Sequence, residues 1–215
     1  DMVLKARLGP PIQSLVYMGA CSSTTETDAS FLAKNNFEYT KTLAQWSERE
    51  HVRFIYASSG ATYGDGSNGF SDDHNQINRL RPLNMYGYSK QMFDMWAAKA
   101  HLLDKFAGLK YFNVFGPNEY HKGPMRSFVI KAFEQIKQTG KVKLFKSHRP
   151  DYEDGRQLRD FIYIKDAVDM TLFFLDNPKI GGIYNIGTGK ARTWNNLVKA
   201  VFAAMELPAN IEYID

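Results

Sequence analysis

The chain has a single cysteine, Cys21, among 215 residues, so it can form no intrachain disulfide and must be held by packing. That usage suits a reducing compartment, and a cytoplasmic location is expected. No apolar run reaches the roughly 20 residues that a membrane-spanning helix needs. The first residues lack the charged-then-apolar pattern of a secretory signal. No membrane association is expected. Blocks of like charge are missing too. The 27 Lys and Arg are interspersed with 23 Asp and Glu for a net charge of +4, which argues against nucleic-acid binding through a basic stripe but suits a small anionic ligand. The five histidines show no metal-ligand spacing and none pairs with Cys21, so no metal is assigned. No internal repeat or low-complexity segment occurs. No Gly-x-Gly-x-x-Gly follows an early strand, so a dinucleotide-binding fold here would lack its first βαβ unit.

What is present is enough for a substantial core. Hydrophobic residues make up 44% and aromatics 14%, and 23% charge is ordinary for a globular chain, so disorder is not expected. The length fits one large domain or one and a half small ones. Apolar runs at 12–18, 52–57, 109–115, 142–145, 161–164, 183–186 and 211–214 read as strands. Asp28 caps a helix that carries Phe31, Leu32, Asn35, Tyr39, Leu43 and Trp46 at helical spacing. Further helices are expected at 86–103, 127–138, 165–175 and 193–205, with loops at 64–82 and 148–157. Strands alternating with helices predict an α/β fold, a doubly wound parallel sheet covered on both faces.

The most informative stretch is Tyr86-Gly87-Tyr88-Ser89-Lys90. On a helix, positions i and i+4 share a face, so the phenol and the amine reach the same spot. A free tyrosine titrates near ~10, and a neighbouring ammonium pulls that value down toward the working range of a base. Upstream, Ser58-Ser59-Gly60 ends a strand with two hydroxyls, at the kind of strand end where open parallel sheets bind ligands. Either feature alone has a plain structural reading: an amphipathic helix start, or a turn with local side-chain bonds.

Together with Arg159-Asp160-Phe161-Ile162-Tyr163-Ile164-Lys165-Asp166 and Gly182-Ile183-Tyr184-Asn185-Ile186-Gly187-Thr188-Gly189, these motifs resemble the extended short-chain dehydrogenase/reductase family, a Rossmann-like fold. Met18 to Glu26 and Phe112 to Gly123, with Glu119-Tyr120-His121-Lys122-Gly123 after the Gly-Pro turn, resemble one nucleotide-sugar epimerase subgroup of it. The resemblance implies inversion at C6 of a nucleotide-diphosphate heptose, by transient oxidation and re-reduction with bound NADP (NAD being possible), in lipopolysaccharide precursor synthesis. Tyr86 matches the catalytic base, Lys90 the lysine that holds the nicotinamide ribose, and Ser59 the site serine. Lys122 matches a second acid/base residue that also touches cofactor. Met18, Gly19, Ala20, Cys21, Ser22, Asn35 and Val114 match cofactor-binding positions. Asn113, Pro124, Lys131, Phe145, Lys146, Ser147 and Arg159 match substrate-binding positions. A second base has a physical rationale: hydride returns to the opposite face of a planar ketone, so the proton is exchanged in a different geometry, which a phenol and an amine on opposite sides can both serve. For Lys122 the plain alternative is a solvated loop lysine, and for Arg159 an ion pair with Asp160 or Asp166.

The resemblance further implies a partial NADP-binding Rossmann domain at 1–118 and 158–186. A smaller substrate-binding part takes 119–157 and 187–215. Relatives of this kind form homo-oligomers when full length. Three alternatives stay open: another nucleotide-sugar enzyme such as a 4-epimerase or 4,6-dehydratase, a non-catalytic binding protein of this fold, or an inactive fragment lacking the glycine-rich unit and the C-terminal tail.

Overall fold

The computed structural model describes residues 11–148, 150 and 152–215. The first ten residues, on which the signal-peptide expectation and the start of the first domain range fall, lie outside the described residues. So do 149 and 151, within the expected loop at 148–157. In chain order the strands and longer helices are β1 (Ser14–Tyr17), α1 (Tyr39–Arg49), β2 (Arg53–Ser59), α2 (Met85–Lys99), β3 (Ala107–Tyr111) and β4 (Asn113–Phe115). There follow α3 (Phe128–Thr139), β5 (Val142–Phe145), β6 (Leu158–Arg159), β7 (Phe161–Tyr163), α4 (Ile164–Asp176), β8 (Gly182–Ile186), β9 (Arg192–Thr193), α5 (Trp194–Ala204) and β10 (Ile211–Ile214). The chain divides into two compact units, residues 1–111 with 169–186 and residues 112–168 with 187–215. This places 112–118 and 158–168 in the second unit, where the sequence reading had them in the first.

The first unit is built on a parallel four-stranded sheet in the order β1-β2-β3-β8. Nearly every residue of β2 is buried, as expected for a strand covered on both faces. Strand alternation assigns the two faces. Lys110 of β3 reaches a side chain of α2, whereas the neighbouring Tyr111 hydroxyl bonds Thr171 of α4 at 2.6 Å. Helices therefore cover both sides, as in a doubly wound α/β fold. Phe54, Tyr56, Phe93 and Phe106 form the aromatic centre under α2, with Tyr56 and Phe93 edge-on at 4.6 Å. Truncating one such ring to alanine costs about 3–5 kcal/mol.

The helical run before β2 differs from expectation. It opens at Ala29–Leu32 with Asp28 as its cap, accepting from the Phe31 amide, then widens into a π-helical stretch at Ala33–Glu38 before α1. The buried stripe is Leu32, Asn36, Thr40, Leu43, Ala44 and Ser47. Phe31 and Tyr39 are exposed and Asn35 is only half-buried. The inward face is thus offset from the aromatic spacing, because the polar Asn36 and Thr40 find partners inside.

The second unit holds three two-stranded pairings: β4-β7 and β5-β10 parallel, β6-β9 antiparallel. The stretch expected as one strand at 109–115 is two, β3 and β4, one in each unit. The core lies between α3, α5 and β5, around Ala132, Ile136, Leu144, Val198 and Phe202. Asp160 ties the Gly187-Thr188-Gly189 turn to the end of β6, accepting from the Thr188 and Gly189 amides. Among the described residues no helix is long and apolar enough to cross a membrane, and no cluster of His, Cys, Asp or Glu could hold a metal ion.

Candidate active site

In the first unit, β2 ends at Ser59, which caps the short helical turn Gly60–Tyr63 by accepting from the Ala61 amide at 3.1 Å. The chain then returns through a loop, containing a 3-10 turn at His74–Arg79, to α2. Asn84 caps that helix, accepting from the Gly87 amide at 2.8 Å. Gly87 lets the first turn press against the serine turn, since a Cβ there would lie 2.8 Å from the Ala61 carbonyl oxygen. The close approach brings Tyr86, Ser59 and Lys90 together, each at least nine-tenths buried. The Ser59 side chain lies close enough to the Tyr86 phenol to lower its hold on the proton. The Lys90 ammonium donates to the Ala57 carbonyl at 2.9 Å and stands 5.9 Å from the centre of the Tyr86 ring.

Electrostatics at this cluster depart from the simple picture of a phenol acidified by an amine. Burial pushes the Tyr86 phenol up, the Ser59 side chain pulls it back in part, and Cys21 adds to the rise. The net is upward because burial outweighs the Ser59 contribution, and Lys90 spends its hydrogen bond on the Ala57 carbonyl. Burial also pulls Lys90 down to about 8, against the opposing charge of Asp94 and a smaller rise from Cys21. Tyr86 thus holds its proton firmly in this arrangement. Among the described groups around it, Ser59 favours its release.

The loop after β1 carries Met18, Gly19, Ala20, Cys21 and Ser22. Met18 is exposed, Cys21 half-buried, and Ala20 adopts φ 102°, an uncommon conformation for a residue with a side chain. Asn36, which sequence reasoning missed, fixes this loop. Its side-chain oxygen accepts from the Cys21 amide at 2.9 Å, and its amide nitrogen donates to the Cys21 carbonyl at 3.0 Å and to the Ser89 hydroxyl at 2.9 Å. Ser89 donates in turn to the Tyr86 carbonyl. One buried amide therefore links the loop to the helix of Tyr86 and Lys90. Asn35, named from the resemblance, turns its side chain back to the Phe31 carbonyl. The doublet Asn35-Asn36 was visible, but which amide faces inward depends on the π-helical stretch.

The remaining candidates belong to the second unit. Asn113 and Val114 lie on β4, and the Asn113 side chain donates to the Asp160 carbonyl. Lys122 and Pro124 lie on the exposed turn Tyr120–Met125, and Lys131 on α3 donates to the Pro124 carbonyl. Glu119, also missed, latches this turn at both ends. Its carboxylate accepts from the Gly116 amide at 3.0 Å, the Ser127 amide at 2.6 Å and the Ser127 hydroxyl at 2.8 Å. Burial alone would raise this carboxyl, but those hydrogen bonds and the nearby Lys122 charge hold it below the usual range. Phe145 is 73% exposed and lines a pocket of about 290 Å³ with Phe128, Leu144, Gln157 and Trp194. Beside it, Lys146 pairs with Asp215 at 2.9 Å, and the Ser147 amide donates to Asp154 at 2.7 Å. Arg159 is exposed and donates to the Leu158 carbonyl; Asp160, offered as its ion partner, is engaged by the 188–189 turn.

Comparison with known proteins bears on this arrangement. Residues 12–187 match the NAD dependent epimerase/dehydratase family. The chain is 58% identical over all of its 215 residues to the ADP-L-glycero-D-manno-heptose-6-epimerase of Nitratidesulfovibrio vulgaris strain Hildenborough, spanning 67% of that protein. It is 51% identical over 204 residues, 94% of the chain and 61% of the relative, to the protein of the same name from Fusobacterium nucleatum. The crystal structure of the Helicobacter pylori ADP-L-glycero-D-manno-heptose-6-epimerase superposes with a TM-score of 0.84 at 27% identity, covering 99% of this chain and 64% of that one. A Thermus thermophilus UDP-glucose 4-epimerase in complex with NAD shares the fold, with a TM-score of 0.75 at 23% identity over 94% of this chain and 64% of that one. The chain thus spans about two thirds of the length of such relatives.

Proposed function

The chain belongs to the NAD dependent epimerase/dehydratase family, and we propose that it carries the acid/base site of an enzyme that inverts C6 of the heptose in ADP-glycero-manno-heptose. The observation that carries this reading is the buried cluster of Ser59, Tyr86 and Lys90 at the end of β2, in a chain 58% identical to proteins of that name.

The residues present fit the ribose–nicotinamide end of a dinucleotide. Lys90 spends one N–H on the Ala57 carbonyl, and an ammonium has three, so two are left to meet ribose hydroxyls. Met18 to Ser22 and Val114 are the further residues assigned to the cofactor, which we take to be NADP. Its role when bound is to accept and return the hydride. Ser59 and Tyr86 orient the C6 oxygen by hydrogen bonds. Tyr86 acts as the base only in its phenolate form, which the Ser59 side chain and a charged Lys90 favour against burial, and in that form it takes the hydroxyl proton as the carbinol becomes a ketone. Lys122 serves the oxygen in the second pose, where re-reduction occurs at the opposite face. Asn113, Pro124, Lys131, Phe145, Lys146, Ser147 and Arg159 hold the nucleotide-diphosphate sugar. The planar fork of Arg159 suits its diphosphate and the apolar slot beside Phe145 suits an aromatic base. We place the enzyme in the cytoplasm as a homo-oligomer that feeds lipopolysaccharide precursor synthesis.

The test is an assay of the full-length protein with each C6 epimer of ADP-heptose and, in parallel, with UDP- and dTDP-hexoses. Interconversion of the heptose epimers is expected; turnover confined to a hexose would overturn the assignment.

A further inference from the structure

We propose that Asp94, paired with Lys110, is a positioning residue for Tyr86 and Lys90: it locks the register of α2 against β2 and presents the negative charge that Lys90 faces within the fold. The inference rests on the reading of Tyr86 and Lys90 as an acid/base pair.

Three successive turns of α2 carry Tyr86, Lys90 and Asp94 at four-residue spacing on one face. Each meets β2. Ser59 lies close to Tyr86, the Ala57 carbonyl takes Lys90, and Tyr56 and Ser58 both donate to Asp94, at 3.1 and 2.7 Å. Lys110, from β3, completes the site with a 2.8 Å ion pair. The pair is sealed from water, the Asp94 side chain being 0% and the Lys110 side chain 1% exposed. Lys110 also donates to Thr62 at 2.6 Å and lies 5.2 Å from the centre of the Tyr63 ring, both in the turn that follows Ser59. Gly108 clears the way for Tyr56, since a Cβ there would sit 2.4 Å from its hydroxyl. The groups facing Lys90 are Tyr86 and Asp94 on its own helix, Cys21 on the loop after β1, and the Ala57 carbonyl on β2. Those facing Asp94 are Lys90 on its own helix, Tyr56 and Ser58 from β2 and Lys110 from β3, with Tyr63 beyond.

Stability alone does not account for this pair. Well-packed apolar side chains in place of a buried ion pair are often as stable or more so. What an apolar set cannot supply is directional attachment of the helix to adjacent residues of one strand, and a fixed anion one turn from Lys90.

Asp94 favours the charged form of Lys90 while Lys110 neutralises Asp94, and this separates positioning from mere scaffolding. In full-length protein, Asp94→Asn keeps the shape and removes the anion. Its kcat is expected to fall about tenfold or more with KM for the nucleotide sugar little changed. The midpoint of Lys90 reactivity, read as the pH dependence of its trace acetylation by peptide mass spectrometry, is expected to drop by about one unit. Lys110→Met leaves Asp94 with Lys90 as its nearest cation, so the midpoint should rise. Midpoints that stay put or move together in the two variants overturn the proposal, as does failure of both variants to fold. If the wild type does not epimerise ADP-heptose yet the midpoints move apart, the substrate assignment falls and the role of Asp94 stands.

Discussion

The two units hold their candidate residues in opposite ways. In the first, Ser59, Tyr86 and Lys90 are buried, and each is tied through neighbours to a network that includes Asn36, Ser89, Asp94 and Lys110. In the second, Lys122, Phe145, Lys146 and Arg159 are exposed, and the contacts of Lys146 and Arg159 are local or at the surface. The contrast suits the two tasks proposed for these residues. Proton transfer tolerates little misplacement and needs groups whose charge states are set by their surroundings, which burial and fixed partners provide. Holding a long, flexible ligand calls for side chains that reach outward and adjust as it enters. Even there, Lys122, the residue proposed for the chemistry, sits on a turn whose two ends are fastened by the buried Glu119.

Substitutions test that contrast most directly where it is strongest. Tyr86→Phe removes only the reacting hydroxyl and is predicted to lower kcat by roughly 10²–10⁴-fold in steady-state epimerisation; a loss under threefold would mean that the buried cluster is not the reacting centre. Lys122→Ala should cost about 10²-fold in kcat, and a variant that works at the wild-type rate would leave the second unit with binding alone. The pH profile comes next. Because burial brings Lys90 down to about 8, the ammonium is present below that value and lost above it. The kcat/KM of the free enzyme should therefore decline on the alkaline side by roughly tenfold per unit beyond about pH 8, and Asp94→Asn should move this limb to lower pH. Asn36→Ala strands the Cys21 backbone groups and removes a donor to the Ser89 hydroxyl, so thermal denaturation should register a loss of about 1–3 kcal/mol, with weaker cofactor retention in fluorescence titrations. Phe145→Ala should have the smallest effect, a few-fold rise in KM at unchanged kcat; a large fall in kcat instead would show that the exposed residues are as tightly bound to the chemistry as the buried ones.

Much of the fold was legible in the sequence, for reasons specific to its elements. The run before Ser59 is apolar on both faces and so could only be an interior strand. Asp28 marks a helix start by chemistry that acts within a few residues. The spacing of Tyr86 and Lys90 followed from helix geometry alone. Three features were not legible. The break between β3 and β4 falls inside one apolar run, and pairing with different partners makes the division. The choice of Asn36 over Asn35 depends on a π-helical stretch that periodicity does not announce. Glu119 looks like any loop carboxylate until the Gly116 and Ser127 amides are seen to converge on it.

The sequence by itself determined that a serine, a tyrosine and a lysine would stand at one strand end, because strand termini, helix caps and four-residue spacing are local properties. Only the tertiary structure decided which way α2 faces. It turns Ser89, Lys90, Gln91 and Asp94 inward and leaves Met85, Tyr88, Met92 and Met95 exposed, the reverse of what hydrophobicity would choose. The physical reason is partner supply. A buried polar group is costly only while unpaired, and Tyr56, Ser58 and Lys110 come from strands distant in sequence, so no local pattern could show that Asp94 would find them.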